Sequence, residues 1–257
     1  MNIELSSGAR FYEGIEKDLL ELKGRLGLRY LCHNYFASPE DDFVVNLASL
    51  NDGIYQKSFQ HLKNAIRVSK EIGAKKFGLH AGFFVDMSVR ELNGTVRPGP
   101  LFDRVKCMRR FCDGFSILRS LSDGVELYIE NNVYSSSNRA LFKDDNPFML
   151  TSWGDYAELR GRLDFKLLLD VAHLKVSARS LGLGFVDELE KMMDVADYVH
   201  LSEASDEHDQ NKGLAADSPL VDWLKVHRAL NGKTVTLEVY EDMEKIKESY
   251  NIISGLV

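Results

Sequence analysis

The segment LLLDVAHLKVSAR, residues 167–179, reads as a buried strand that ends on an acid and an imidazole. Three leucines lead into Asp170, and His173 follows three residues later. A single Asp or His at a strand end is usually a helix cap or a surface group. The segment therefore points to a functional site only if other strands of the chain end in the same way.

Six other short runs have strand-like sequences. With the first, the seven runs are NIEL (2–5), RYLCH (29–33), KFGLH (76–80), VELYIE (125–130), KLLLD (166–170), DYVHLS (197–202) and TVTLEV (234–239). Helical periodicity predicts one helix per strand, over 11–26, 54–72, 101–121, 146–163, 185–195, 218–230 and 242–253. This alternation indicates βαβ units and a parallel sheet. We predict an α/β fold, a TIM-type (β/α) barrel that has seven recognisable strands and lacks the first βα unit.

Composition and charge narrow the class of protein. The 257 residues contain no linker-like stretch, which predicts a single domain over 1–257. A formal net charge of −7 argues against nucleic acid as a partner. Three cysteines give no disulfide framework, and the sequence has no apolar run of transmembrane length and no signal peptide. We therefore expect a cytoplasmic protein that does not enter a membrane.

Acidic and imidazole side chains stand at the carboxyl ends of six of the seven predicted strands. These residues are His33, His80, Glu130, Asp170, His200 and Glu238, with His173 just beyond Asp170. In a parallel barrel all of these ends lie on one rim, where the active site of this architecture is found. Converging carboxylates repel one another unless a cation lies among them. Mixed His, Asp and Glu ligands suit Mn²⁺, Zn²⁺, Co²⁺ or Fe²⁺, so we predict a divalent metal cofactor.

Five motifs carry a family resemblance over nearly the whole chain. LHAGF, YIENN, LLLDVAHLKVSA, VHLSE and TLEVY, in this order and spacing, resemble the xylose isomerase-like TIM-barrel superfamily. That superfamily includes sugar and sugar-phosphate isomerases and epimerases, and the endonuclease IV-type AP endonucleases. HNYF together with VVNLASLNDGIYQKS is similar to a group from bacterial surface-polysaccharide clusters. In such relatives a strand and a helix precede the NIELS segment, which agrees with the predicted lack of a first βα unit.

The resemblance to the isomerases and epimerases implies a single metal site. Its ligands would be Glu130, Asp170, His200 and Glu238, and we expect Glu130 and Glu238 also to act as catalytic base and acid. His173 would bind a substrate hydroxyl group. Further substrate contacts are predicted for three side chains near the same rim, Asn131, Asn132 and Lys175.

The resemblance to the endonucleases implies additional metal sites. His33 and His80 would be further zinc ligands, and a third zinc would use His173 with an Asp-x-His pair. The segment SEASDEHDQNKG, residues 202–213, offers two versions of that pair. Asp206 with His208 comes sooner after His200 than the endonuclease pattern expects, whereas Asp209 with Asn211 fits the polysaccharide-cluster relatives better. Both pairs are therefore candidates for additional metal or substrate binding.

The function predicted from these residues is a divalent-metal-dependent sugar or sugar-phosphate isomerase or epimerase. It would transfer a proton through an enediolate, in surface-polysaccharide sugar metabolism. One alternative is an endonuclease IV-like zinc phosphodiesterase, an AP endonuclease, against which the acidic charge counts. The other is a degenerate, non-catalytic barrel. An open sheet edge at the missing unit predicts association into a homodimer.

Overall fold

The computed structural model describes residues 2–6, 12–39, 41–92, 94–143, 145–205 and 207–256. Its seven strands follow one another in the sheet in chain order. They are β1 (Asn2–Leu5), β2 (Arg29–His33), β3 (Lys76–His80), β4 (Glu126–Glu130), β5 (Lys166–Asp170), β6 (Ala196–Leu201) and β7 (Thr234–Leu237). Each lies within two residues of the run predicted from sequence, so the predicted strands are confirmed.

The described residues form nine α-helices and one short 3-10 helix, Val89–Glu91. The α-helices are α1 (Ile15–Leu26), α2 (Asp52–Glu71), α3 (Arg104–Leu121), α4 (Ser136–Phe142), α5 (Trp153–Arg160), α6 (Val171–Leu181), α7 (Phe185–Val195), α8 (Pro219–Val226) and α9 (Met243–Ser254). The prediction of one helix per strand is wrong. Two helices, α4 and α5, connect β4 to β5, and two more, α6 and α7, connect β5 to β6.

Helix α6 was not predicted from the sequence, because its side chains are buried on nearly every side of the helix. Eight of its eleven residues are buried, so the sequence shows no polar face with helical periodicity. The helix begins directly at the end of β5, where the Asp170 carboxylate accepts a hydrogen bond of 2.7 Å from the backbone N–H of His173. This N-cap explains why a strand of leucines ends on an aspartate and fixes His173 one turn beyond it.

The chain divides into two compact units, and the first consists of residues 1–129 and 159–165. In this unit β2 pairs in parallel with both β1 and β3. Asn51 caps the N-terminus of α2, because its side chain accepts hydrogen bonds from the backbone N–H groups of Gly53 and Ile54. The helix buries Leu62. Helix α3 buries a face that includes Phe111. Strands that are covered by apolar helix faces need few polar residues, which agrees with the apolar sequences of β2 and β3.

The second unit consists of residues 130–158 and 166–257, and it contains β5, β6 and β7 in parallel. Asp170 is the register partner of His200, and Leu201 is the partner of Leu237. The backbone N–H of Glu238 then donates to the carbonyl of Leu201 at 3.0 Å. The carboxyl ends of three adjacent strands therefore carry an aspartate, a histidine and a glutamate side by side. The prediction of a single domain over 1–257 stays a prediction.

In the first unit, Glu91 fastens the long connection between β3 and α3. Its carboxylate accepts hydrogen bonds from the N–H and hydroxyl of Ser88, at 2.8 and 2.6 Å, which completes a capping box. It also accepts from the backbone N–H and the guanidinium of Arg97, at 2.8 and 3.1 Å. The hydrogen bonds from Arg97, followed by those from Ser88, lower the pKa of Glu91 from 4.5 to about 2.

We expect Glu91→Ala to lower the free energy of unfolding by about 1–3 kcal/mol at pH 7, since it removes hydrogen bonds to a charged group. A carboxyl group with a lowered folded-state pKa stabilises the protein above its unfolded pKa, and that stabilisation is lost as the pH falls through the folded value. The difference between wild type and variant should therefore shrink between about pH 4.5 and pH 2. Urea unfolding at several pH values measures it. A difference that stays constant down to pH 3 would contradict the assignment, and Glu91→Gln, which keeps the box without the charge, is the control.

Candidate metal centre

Four side chains of the second unit converge at the ends of its strands. Glu130, Asp170, His200 and Glu238 each offer one ligand atom, and these atoms all lie within 4.8 Å of one another. Glu130 and Asp170 are the last residues of β4 and β5, His200 is the next-to-last residue of β6, and Glu238 directly follows β7. The structure thus brings together the four residues that the sequence predicted as ligands of a single metal.

The imidazole of His200 lies at the middle of this cluster. Its Nδ1 atom is 3.3 Å from Glu130 Oε1, 3.0 Å from Glu238 Oε2 and 4.0 Å from Asp170 Oδ2. The side chains of Glu130, Asp170 and His200 are 1% exposed, whereas that of Glu238 is 18% exposed. Solvent or a ligand therefore reaches the cluster on the side of Glu238.

The charges of the cluster suit a divalent cation. Asp170 Oδ2 is buried and receives no hydrogen bond from the described residues. Burial raises the pKa of Asp170, and the carboxylates of Glu238 and Asp209 raise it further against the opposing effect of His173. Buried carboxylates are costly unless a cation compensates their charge. Three carboxylates with one imidazole nitrogen form a donor set that fits Zn²⁺, Mn²⁺, Co²⁺ or Fe²⁺.

Asn131 holds the ligand Asp170 in position. The amide oxygen of Asn131 accepts from the backbone N–H of Asp170 at 2.7 Å, and its amide nitrogen donates to the carbonyl of Asp170 at 2.9 Å. Asn131 is completely buried, and its own carbonyl accepts a hydrogen bond of 2.9 Å from His173 Nδ1. Both polar atoms of the amide bind Asp170, which gives Asn131 a positioning role, and its predicted contact with a substrate stays a prediction.

Two other residues that were predicted to contact the substrate, Asn132 and Lys175, also form hydrogen bonds to main-chain carbonyl groups. The amide nitrogen of Asn132 donates to the carbonyl of Met149 at 2.9 Å. The ammonium group of Lys175 donates to the carbonyl of Ala204 at 2.7 Å, which joins α6 to the segment after β6. These bonds account for both side chains without a substrate, and their predicted role stays a prediction.

His173 borders the cluster and faces a fourth carboxylate. Its Nε2 atom lies 3.3 Å from Asp209 Oδ2 and 4.0 Å from Asp170 Oδ2. Its Nδ1 atom lies 3.9 Å from Glu130 Oε1. Burial alone lowers the pKa of His173, but the surrounding carboxylates, Asp170 first and then Asp209, outweigh it and raise the pKa well above its usual value.

The two candidate pairs in the segment 202–213 have different surroundings. Asp209 lies against His173, as described above. His208 is exposed, and its backbone N–H donates to the hydroxyl of Ser205 at 3.0 Å. Asn211 accepts from the backbone N–H of Tyr240 at 2.9 Å through its carbonyl. Asp206 lies outside the described residues. Of the candidate residues of this segment that the structure describes, Asp209 is therefore the one whose side chain lies against His173.

Two further residues, His33 and His80, were predicted as additional metal ligands, and both belong to the first unit. They are the last residues of β2 and β3, and their ring centroids lie 5.3 Å apart in an edge-to-face arrangement. Their predicted role as additional metal ligands stays a prediction.

The site includes the hydroxyl group of Tyr240, whose hydrogen bond to Glu238 was not predicted from the sequence. The hydroxyl of Tyr240 donates to Glu238 Oε1 at 2.6 Å. Tyr240 stands two residues after Glu238, and in an extended chain such a spacing places both side chains on the same face. The spacing was therefore a usable signal for a phenol that orients this carboxylate.

Comparisons with known proteins agree with this architecture. A family model described as "Xylose isomerase-like TIM barrel" matches residues 4–254 and confirms the predicted TIM-barrel fold class. None of the curated proteins is detectably similar in sequence to this chain. No helix among the described residues is long and apolar enough to cross a membrane.

Three solved structures illustrate the likeness. A D-tagatose 3-epimerase-like protein is 14% identical, with a TM-score of 0.73 over 99% of this chain and 87% of its own. D-Psicose 3-epimerase with D-tagatose, from Clostridium cellulolyticum, is 12% identical, with a TM-score of 0.65 over 99% and 87%. Endonuclease IV from Thermus thermophilus is 14% identical, with a TM-score of 0.59 over 99% and 97%. At these identities the likeness shows the fold alone.

Glu130→Gln tests whether the cluster binds a metal, because it removes one charge at nearly constant shape. Without metal, we expect the melting temperature to stay the same or rise, since repulsion among the carboxylates falls. With Zn²⁺ or Mn²⁺ at about 100 times its dissociation constant, the wild type should gain about 2.7 kcal/mol, and the variant much less. Thermal unfolding with and without metal measures both effects. Glu190→Gln, at an exposed carboxylate on α7, is the matched control. Equal metal-induced shifts in all three proteins would exclude the site.

Asn131→Ala tests the positioning role of this side chain. The substitution removes the two hydrogen bonds between the Asn131 amide and the buried N–H and carbonyl of Asp170, so we expect the free energy of unfolding to fall by about 2–5 kcal/mol. Metal affinity, measured by calorimetric titration, should fall as well, because Asp170 loses its fixed orientation. The control is Asn132→Ala, which should lower stability and leave metal affinity nearly unchanged. A loss of affinity of the same size in both variants would contradict the role assigned to Asn131.

Proposed function

This chain belongs to the xylose isomerase-like TIM-barrel family, and on that premise we propose that it is a divalent-metal-dependent sugar isomerase or epimerase. The observation that carries the proposal is the arrangement of Glu130 and Glu238 around one imidazole. Their carboxylates lie 3.3 and 3.0 Å from the same nitrogen of His200, although they come from the ends of different strands. Two carboxylates so placed can act on a single bound molecule.

The proposed reaction moves a proton at a carbon next to the carbonyl group of a sugar. Glu130, Asp170, His200 and Glu238 would hold the metal, which when bound would stabilise negative charge on the sugar oxygens. Glu238 would remove or return the proton, since its side chain is partly exposed and the Tyr240 hydroxyl orients it. Glu130 would be the second acid or base, and each such group contributes about 10²–10⁴-fold to the rate.

The similarity to sugar epimerases supports a small-molecule sugar as substrate. One of the similar structures is a D-psicose 3-epimerase with D-tagatose, and another is a D-tagatose 3-epimerase-like protein. The predictions of a homodimer, of a cytoplasmic location and of a link to surface-polysaccharide metabolism go with this proposal and are untested.

Exchange of sugar protons with solvent deuterium tests the proposal. We expect the metal-loaded protein in heavy water to place deuterium on a carbon next to the carbonyl group of at least one ketose, followed by proton NMR. Chelator treatment should abolish the exchange. Glu238→Gln should slow it by about 10²–10⁴-fold, whereas the surface variant Glu190→Gln should not.

A negative result would have a clear meaning. If no ketose in a broad panel exchanges its proton or is converted to an isomer or epimer, the proposed reaction is wrong. Cleavage of DNA at abasic sites by the same metal-loaded preparation would then identify the alternative, an endonuclease IV-like phosphodiesterase.

A further inference from the structure

Asp209 is turned inward from a segment whose neighbouring side chains face solvent. Of residues 207–210, Glu207, His208 and Gln210 are exposed, whereas the Asp209 side chain is only 13% exposed. Its Oδ1 atom is buried and receives no hydrogen bond from the described part of the chain. A buried carboxylate oxygen without a donor is unfavourable, so it calls for an explanation.

The segment that carries Asp209 is closed at its base. Glu203 and Lys212 exchange two backbone hydrogen bonds, of 2.8 and 3.1 Å. The ammonium group of Lys175, on α6, holds the carbonyl of Ala204 at 2.7 Å. These bonds hold both ends of the segment, and the contact with His173 at 3.3 Å holds the Asp209 carboxylate.

Asp209 and His173 together make a pair of hydrogen-bonding groups beside the metal centre. His173 Nδ1 donates to the carbonyl of Asn131, which leaves Nε2 as the ring nitrogen that faces Asp209 Oδ2 at 3.3 Å. The imidazole of His173 therefore binds Oδ2 of Asp209. The other carboxylate oxygen, Oδ1, is not bound by this ring. Oδ1 can therefore accept a hydrogen bond from a bound molecule.

A second metal ion does not fit this pair as well as a hydroxyl group does. In the second unit, the described side chains that gather at least three ligand atoms are the four of the metal centre, and neither His173 nor Asp209 is among them. Two ligands are too few for a typical zinc site. A phosphate group would be repelled by the carboxylate, whereas a hydroxyl group can donate to it.

We propose that Asp209 determines substrate specificity by accepting a hydrogen bond from one hydroxyl group of the sugar, with His173 as its neighbour and orienting partner. This inference rests on the proposed function, because it takes the molecule at the metal centre to be a sugar. It assigns to the segment after β6 the recognition of a hydroxyl group that does not react. The substrate class is a polyhydroxylated sugar that carries a free hydroxyl group, not a phosphate, at that position.

The test compares a ketose with its monodeoxy analogues on wild type and Asp209→Ala. Dissociation constants for the metal-loaded proteins and kcat/KM for deuterium exchange are both measured. We expect the wild type to prefer the parent ketose over one monodeoxy analogue by about 10–100-fold, the size of a hydrogen bond to a charged group. Asp209→Ala should lose most of that preference. Glu207→Ala, at an exposed carboxylate of the same segment, should keep it.

Each other outcome counts against a particular claim. An equal loss for the parent and for every monodeoxy analogue would overturn the specificity role of Asp209. Loss of metal from Asp209→Ala, measured by plasma mass spectrometry, would make Asp209 a metal ligand and also overturn it. If ketoses bind but are neither exchanged nor converted to an isomer or epimer, the proposed reaction is wrong, and the dissociation constants still decide the role of Asp209. If no ketose binds to the wild type, both proposals are wrong.

Discussion

The burial of three carboxylates around one imidazole nitrogen is the constraint on which the second unit depends. Glu130, Asp170 and Glu238 all approach His200 Nδ1 within 4.0 Å, and two of the three are almost fully buried. Removing such charges from water costs several kcal/mol per group unless opposite charge compensates it. The fold therefore maintains an arrangement that is unfavourable by itself and that a bound divalent cation would make favourable.

Backbone geometry provides most of this arrangement. The parallel register of β5, β6 and β7 sets the ligands side by side, and Asn131 binds both backbone groups of Asp170. The two carboxylate oxygens of Asp170 also have different roles. Oδ1 caps α6, and Oδ2 turns to the metal centre as a result. The same cap fixes His173 one turn further on, so a single strand-to-helix junction positions two groups of the site.

The sequence was sufficient where a local pattern determines the structure. Strand ends align in a parallel sheet, so residues at the ends of predicted strands identified the four side chains that converge at the candidate metal centre. Helix α6 was missed because burial on all sides removes the periodicity that reveals a helix. The choice of Asp209 over His208 depends on long-range bonds, such as that from Lys175 to Ala204, which no local pattern encodes. The role of Asn131 was also hidden, since the same amide could bind a sugar or a backbone.

The two catalytic candidates differ in a way that bears on the reaction. Glu238 is 18% exposed and is bound by the hydroxyl of Tyr240, a residue that is itself 67% exposed. Glu130 is 1% exposed and lies next to His200 and His173. Under the proposed reaction, a proton taken by Glu238 can pass to solvent through the phenol, whereas one taken by Glu130 is retained. The extent of solvent exchange thus reports which carboxylate removes the proton, because the Glu238 side chain is partly exposed and that of Glu130 is almost fully buried.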